Sequence, residues 1–243
     1  MNKQEMMEIV YAQLALDYNC EPEDFNKNGI IFTVAKKQEG RREMPFVTPR
    51  LEVITMGKST IVNASNDIMP YVKRKFKNKS SYEIMTSKLV YGVNPYFLPS
   101  MSNNSYAQND NYKFALIDEN IQHLYIYKEF HNALQYDFNS KRPETLASIA
   151  YDRNKIVGIA CASADSKTMW QISVDVLPEY QGNGIAVVLV NMLTKESLRR
   201  GIVPYYTTDY TNINSQRIAI KCGYLPAWSH CFRTRLPKIV KVH

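Results

Sequence analysis

Apolar and polar positions change period along the chain, and each change predicts an element. Residues 3–18, "KQEMMEIVYAQLALDY", are apolar at helical spacing with acids among them, which predicts an amphipathic helix. "GIIFTVA" and "RLEVITM" alternate and read as strands. "SNDIMPYVKRKF" opens with a helix-start signal, and Pro70 limits where that helix can lie. Residues 98–112, "LPSMSNNSYAQNDNY", are polar, rich in Asn and Ser and without period, as in a loop or linker. Beyond them the pattern sharpens. "DENIQHLYIYKEFHNAL" predicts a helix with Asp118 as its cap, and "ETLASIAYDRNKIVGIACAS" predicts a hairpin turning at Asp-Arg-Asn-Lys. "MWQISVDV" is a third strand. A helix over 184–200 follows, with Ile185, Val188, Leu189, Met192 and Leu193 on one face and Gly201 closing it. "IVPYYTTDY" reads as a strand, "NINSQRIAIKC" as a short helix with Asn212 as candidate cap and Gly223 after it, and "LPAWSHCFRTRL" as the last strand. The expected organisation is an N-terminal α+β accessory region (1–100), a linker (101–114), and a C-terminal domain (115–243) of order α-β-β-β-α-β-α-β, a mixed sheet with helices packed on it.

Composition narrows the partners. Hydrophobic content of 45% and charged content of 22% are ordinary for a globular protein. The net charge of +7 invites an anionic partner. The run "KRKFKNK", Lys73 to Lys79, is the densest basic stretch, but only Phe76 interleaves it, so it reads more readily as a solvated face than as a nucleic-acid surface, which stays open as a third reading. Cys20, Cys161, Cys222 and Cys231 match no zinc spacing and no dense disulfide framework, which predicts free thiols, a cytoplasmic setting and no metal. The N-terminus does not resemble a signal peptide, and no apolar run reaches the ~18 residues of a membrane span.

The candidate chemistry sits at "DVLPEYQGNGIAVVLVNML", where an apolar strand meets two glycines and then a helix. A P-loop needs Lys and then Ser or Thr after its last glycine, and Ile185 and Ala186 stand there instead. The dinucleotide fingerprint places a third glycine where Val187 lies, and the next strand offers no acid at its end. Gln181, Gly184 and Ala186 fill a third pattern, Gln/Arg-x-x-Gly-x-Gly/Ala. The helix N-terminus behind it is suited to an anion such as a pyrophosphate. The plain alternative is a tight strand-to-helix turn.

With "NINSQRIAIKCGYLPAW" following at the right separation, residues from about 115 to 235 resemble the GNAT superfamily of acyl-CoA-dependent N-acyltransferases. The resemblance implies a GNAT-like mixed central sheet flanked by helices, acetyl-CoA as cosubstrate and an amine acceptor. It implies that the backbone of Val174, Asp175 and Val176, on a strand splayed from its neighbour, receives the pantetheine arm. It implies that Gln181, Gly182, Asn183, Gly184, Ile185, Ala186 and Val187 cradle the phosphates, and that Asn212 and Ser215 lie beside the cofactor. It leaves a homodimer open.

The catalytic pattern of the family is incomplete here. Its frequent acid, a tyrosine seven residues after the motif asparagine, is Ala219, and its frequent base, a glutamate on the preceding strand, is Thr207. Tyr210, Tyr224 and Asp175 are the substitute candidates, and His230 is a further one more readily read as structural. The expected function is acetyl transfer to an amine. A non-catalytic acyl-CoA-binding module is the alternative.

Overall fold

The computed structural model describes residues 1–44, 46–101, 110–135 and 140–233. In chain order these form α1 (Lys3–Tyr18), β1 (Gly29–Val34), β2 (Leu51–Thr55), β3 (Ser59–Ala64), α2 (Met69–Phe76), α3 (Ser81–Met85), β4 (Asn94–Pro99), β5 (Lys113–Ile117), β6 (Glu144–Asp152), β7 (Lys155–Ser163), β8 (Met169–Val176), α4 (Ile185–Arg199), β9 (Val203–Thr207), α5 (Ile213–Lys221) and β10 (Tyr224–Arg233). The mixed sheet and flanking helices expected from the sequence are present. The chain forms two compact units. Unit 1 comprises Met1–Met6, Phe97–Thr207 and Ile213–Leu225, and unit 2 comprises Met7–Tyr96, Thr208–Asn212 and Pro226–His243. Each draws on sequence from both sides of the expected 101–114 linker, whose residues 102–109 lie outside the described ones.

In unit 1 the strands lie in the order β4-β9-β8-β7-β6-β5. Strands β5 to β8 are joined antiparallel, and β8 and β9 run parallel. Side chains of a strand alternate between faces, and the two faces carry two cores. Leu146, Ala150, Ala160, Ala162, Ile172 and Val174 pack with Ile185, Leu189 and Leu193 of α4. Ala147, Ile149, Ile159 and Cys161 pack instead with Ile121, Leu124 and Phe130. The β6–β7 turn needs one left-handed residue, Arg153, with φ of 54°.

Two expectations change. The helix expected from Asp118 is replaced by two short 3-10 turns, Ile121–Ile126 and Lys128–Phe130, with Asn120 left-handed before them. Ile121 and Leu124 stand three apart, and a three-residue turn stacks both onto the sheet. Asp118 caps nothing; it pairs with Arg200 at 2.6 Å. Strand β5, within the polar approach to this segment, was not expected.

In unit 2 the order is β1-β3-β2-β10, with β1 and β3 parallel and the other pairs antiparallel. Pro70 lies in the first turn of α2, where its missing N–H costs no helical bond. The interior holds an apolar cluster around Leu51, Val62, Val72 and Phe76 and a buried polar set. Asp17 accepts from Arg42 (2.5 Å), while Arg41 and Arg50 both reach Glu52 (2.9 and 2.5 Å). His230 is buried there, 3.7 Å from Glu52, with its ring stacked on Phe232. Cys161, Cys222 and Cys231 are buried free thiols and Cys20 is a half-buried one. No helix among the described residues is long and apolar enough to cross a membrane.

Candidate functional site

The site is built in unit 1, where β8 and β9 part. Their pairing runs from Met169↔Val203 to Ile172↔Tyr206 and stops there. β8 continues to Val176 and pairs through that residue with β7 alone. Past Ile172 the edge of β8 that faced β9 has lost its ladder, the arrangement that can accept an extended, amide-bearing ligand as an added strand. The edge is already organised: the Val174 carbonyl accepts from Asn132 Nδ2 (3.1 Å), and the Val176 carbonyl from Gln181 Nε2 (3.1 Å).

Asp175 turns the other way. Its Oδ2 accepts the backbone N–H groups of Asn132 (2.7 Å) and Ala133 (2.8 Å), and Ser173 Oγ donates to the Ala133 carbonyl (3.2 Å). The carboxylate ties the turn after the 3-10 segment to the parted strand. A charge on an otherwise apolar strand is explained by those two N–H groups.

The strand then enters the glycine loop. A 3-10 turn, Pro178–Tyr180, precedes it, and Tyr180 Oη donates to Asp152 (3.0 Å), which fixes the entry. Gln181, Gly182, Asn183 and Gly184 are exposed. Gly182 (φ +84°) and Gly184 (φ +79°) are left-handed, and a Cβ at either would meet nothing within 4 Å. The demand for glycine is therefore conformational, and the space above the loop is open. Gly184 caps α4; its carbonyl accepts from the N–H groups of Val187 (3.1 Å) and Val188 (3.2 Å), so the N–H groups at the very start of the helix are those of Ile185 and Ala186. Ile185 anchors the helix in the core while Ala186 and Val187 stay half-buried. An open cradle of N–H groups at a helix start fits a pyrophosphate. Gly158, which the sequence reading passed over, lets this helix sit close. A Cβ there would stand 3.0 Å from Ile185 Cγ2 and 3.1 Å from Leu189 Cδ1.

The remaining candidates separate. Tyr224 is fully buried, and its hydroxyl pairs with Thr194 Oγ1 (2.7 Å) inside the core. Burial drives its phenol far above the ordinary range. Tyr210 is 57% exposed and belongs, with Asn212, to the 208–212 segment of unit 2, where its ring lies against Gly92. His230 lies in the polar interior of unit 2. Ser215 is in unit 1, and its Oγ is 2.8 Å from Tyr206 Oη. Tyr206 was missed in sequence because "VPYYTT" reads as plain strand; only its place at the end of the β8–β9 ladder singles it out. Among the described residues no cluster of ligating side chains could hold a metal ion.

A family model described as GNAT acetyltransferase matches residues 26–228. Comparison with curated proteins gives no match. Among solved structures, an acetyltransferase assigned to the GNAT family from Novosphingobium aromaticivorans is 15% identical with a TM-score of 0.46, the match covering 59% of this chain and 65% of that one. A GCN5-related N-acetyltransferase-like protein from Streptococcus suis is 17% identical with a TM-score of 0.43, covering 73% and 72%. A GNAT-family acetyltransferase from Colwellia psychrerythraea is 12% identical with a TM-score of 0.43, covering 60% and 56%. The chain thus spans less than two thirds of the first and third of these structures.

Proposed function

The chain belongs to the GNAT acetyltransferase family, which implies acyl-CoA-dependent acetyl transfer, and on that premise we propose that it is an N-acetyltransferase that takes its acetyl group from acetyl-CoA and gives it to an amine. The observation that carries the reading is the parted β8–β9 edge leading directly into an open, left-handed glycine loop at the start of α4. In this reading Gly182, Asn183, Gly184, Ile185 and Ala186 receive the pyrophosphate on backbone N–H groups, and Val187, whose N–H donates to the Gly184 carbonyl (3.1 Å), completes the turn behind them. The backbone of Val174, Asp175 and Val176 receives the amide-bearing arm. Gln181 positions the loop against Val176, and Ser215 contacts the cosubstrate. When bound, acetyl-CoA supplies the activated acyl group.

The residues around the parted edge orient and enclose. Asp175 holds the Asn132–Ala133 turn beside it, so a substrate amine brought there meets a fixed wall. Orientation of this kind supplies much of the rate in acyl transfer. A backbone N–H near Val176 is a candidate oxyanion donor. Tyr210, Tyr224 and Asp175 remain the proton-transfer candidates that sequence spacing puts forward. A cytoplasmic setting and a homodimer belong to the same proposal.

Acetyl-CoA at 100 times its Kd should stabilise the folded chain by about 2.7 kcal/mol, read as a rise in Tm. Turnover of a panel of amines then separates an enzyme from an acyl-CoA-binding module, which would show the stabilisation and no product.

A further inference from the structure

We propose that Asn132 is a latch on the parted edge: its side-chain amide holds a carbonyl that the amide-bearing arm of acyl-CoA uses, and the arm binds by displacing it. The latch rests on the acetyl-transfer reading above and adds a competing contact to it. The direction of each backbone group on β8 follows from its pairing. The Leu177 N–H donates to the Val157 carbonyl at 3.0 Å, and the antiparallel β7–β8 register continues from Gly158↔Val176 to Ser163↔Gln171. Paired residues along an antiparallel ladder alternate between bonding each other and facing away, so Asp175 and Ser173 turn their backbone groups to β7 with Leu177. Ile172, Val174 and Val176 turn theirs to the opposite side, which β9 leaves after Ile172. The Val174 and Val176 carbonyls are the ones that side-chain amides occupy, Asn132 Nδ2 on the first and Gln181 Nε2 on the second, each at 3.1 Å.

The two contacts differ in origin. Gln181 reaches back five residues within its own loop. Asn132 lies 42 residues from Val174, on a turn that is fastened to β8 without its side chain. Asp175 Oδ2 accepts the backbone N–H groups of Asn132 and Ala133, Ser173 Oγ donates to the Ala133 carbonyl, and Ala133 is buried in the core of that face. The turn therefore stays seated when the side-chain amide lets go. Asn132 is exposed, so water takes up the released N–H groups. A ligand joining the edge as an added strand donates its own amide N–H to an edge carbonyl, and at Val174 it competes with Asn132 for the same acceptor.

Calorimetry on wild type and Asn132→Ala tests this with two ligands, acetyl-CoA and adenosine 3′-phosphate 5′-diphosphate, which carries the pyrophosphate and no arm. Asn132→Ala should bind acetyl-CoA about twofold to tenfold more tightly than wild type, the range of one net hydrogen bond, and should bind the arm-free nucleotide as wild type does. An acetyl-CoA affinity that is unchanged or lower, or a gain shared equally by the arm-free nucleotide, overturns the latch and leaves the acetyl-transfer reading intact. If wild type binds neither ligand, that reading falls and takes the latch with it. A second measurement needs no variant. In wild type the side-chain amide resonances of Asn132 should move on saturation with acetyl-CoA and stay in place with the arm-free nucleotide. Resonances that acetyl-CoA leaves in place, or that both ligands move alike, overturn the proposal.

Discussion

The two units differ in where their charged side chains are concentrated. In unit 2 they are shut inside. Arg50 and Glu52 are each 2% exposed, Arg41 and Arg50 share one carboxylate oxygen, and Arg42 holds Asp17 by side chain and backbone together. In unit 1 the interior around α4 is largely apolar; two carboxylates are buried elsewhere in it, Glu144 with Tyr125 and Asp165 with Tyr205, Ser163 and Arg142, and further polar groups lie where the sheet parts and at the exposed glycine loop. A closed ionic interior makes a unit intolerant of losing any one charge, since each charge left behind is buried without its partner. An apolar interior with a polar opening tolerates change at the opening and leaves it free for chemistry. We therefore place the densest set of stability-critical charges in unit 2 and the ligand-facing groups in unit 1.

The largest expected effect breaks the closed side of this comparison. Glu52→Gln leaves Arg41 and Arg50 without their common carboxylate and should cost about 3–5 kcal/mol in urea unfolding. A loss below about 1 kcal/mol would mean that the ionic interior is not what holds unit 2.

Acid should act on the same group. Burial alone would raise the Glu52 carboxyl, but His230, Arg50 and Arg41 outweigh it and hold it at about 2, below its ordinary 4.5. A depressed carboxyl stabilises the fold above its unfolded value, and that stability is lost as pH falls, because the unfolded chain takes up the proton first. Stability should decline from about pH 4.5 toward pH 2, and the part due to Glu52 should vanish in Glu52→Gln. An identical acid profile in the variant would remove Glu52 from the account.

On the open side, Gly158→Ala places a methyl group against Ile185 and Leu189. It should cost about 1–3 kcal/mol by overpacking and weaken acetyl-CoA binding through a shifted α4. Lost stability with unchanged affinity would show that the cradle does not depend on how the helix is seated.

The smallest effect concerns the basic run. Lys73, Arg74 and Lys75 are exposed, Lys73 over the Phe32 ring and the other two over Tyr71. Reversing all three to Glu should change the acetyl-CoA Kd by no more than about threefold at physiological salt, since screened surface charge acts weakly at a distance. A tenfold loss would tie this face to the ligand.

Much of the fold was legible because its signals are local. The β6–β7 hairpin follows from strand alternation around a two-residue turn, and α4 from its apolar stripe between Gly184 and Gly201. The 118–134 segment was misread because its apolar spacing suits a helix, whereas its docking on the sheet selects tighter turns. The glycine loop was legible as a loop, and left-handed backbone is the reason for its glycines. The part played by Asp175 was not, because its partners Asn132 and Ala133 lie 43 and 42 residues away. The splay of β8 from β9 was expected only through the family resemblance, because a sheet parts where two distant strands cease to pair and no single stretch of sequence records that.

The most direct test of the central claim is the thermal shift produced by acetyl-CoA in wild type, Gly184→Asn and Gly184→Val. Asn tolerates a left-handed backbone whereas a β-branched residue is strongly disfavoured there. If the loop is the pyrophosphate cradle, wild type should show the full stabilisation of about 2.7 kcal/mol at 100 times Kd, Gly184→Asn most of it, and folded Gly184→Val none. An equal shift in all three proteins would contradict the assignment of this loop to the cosubstrate.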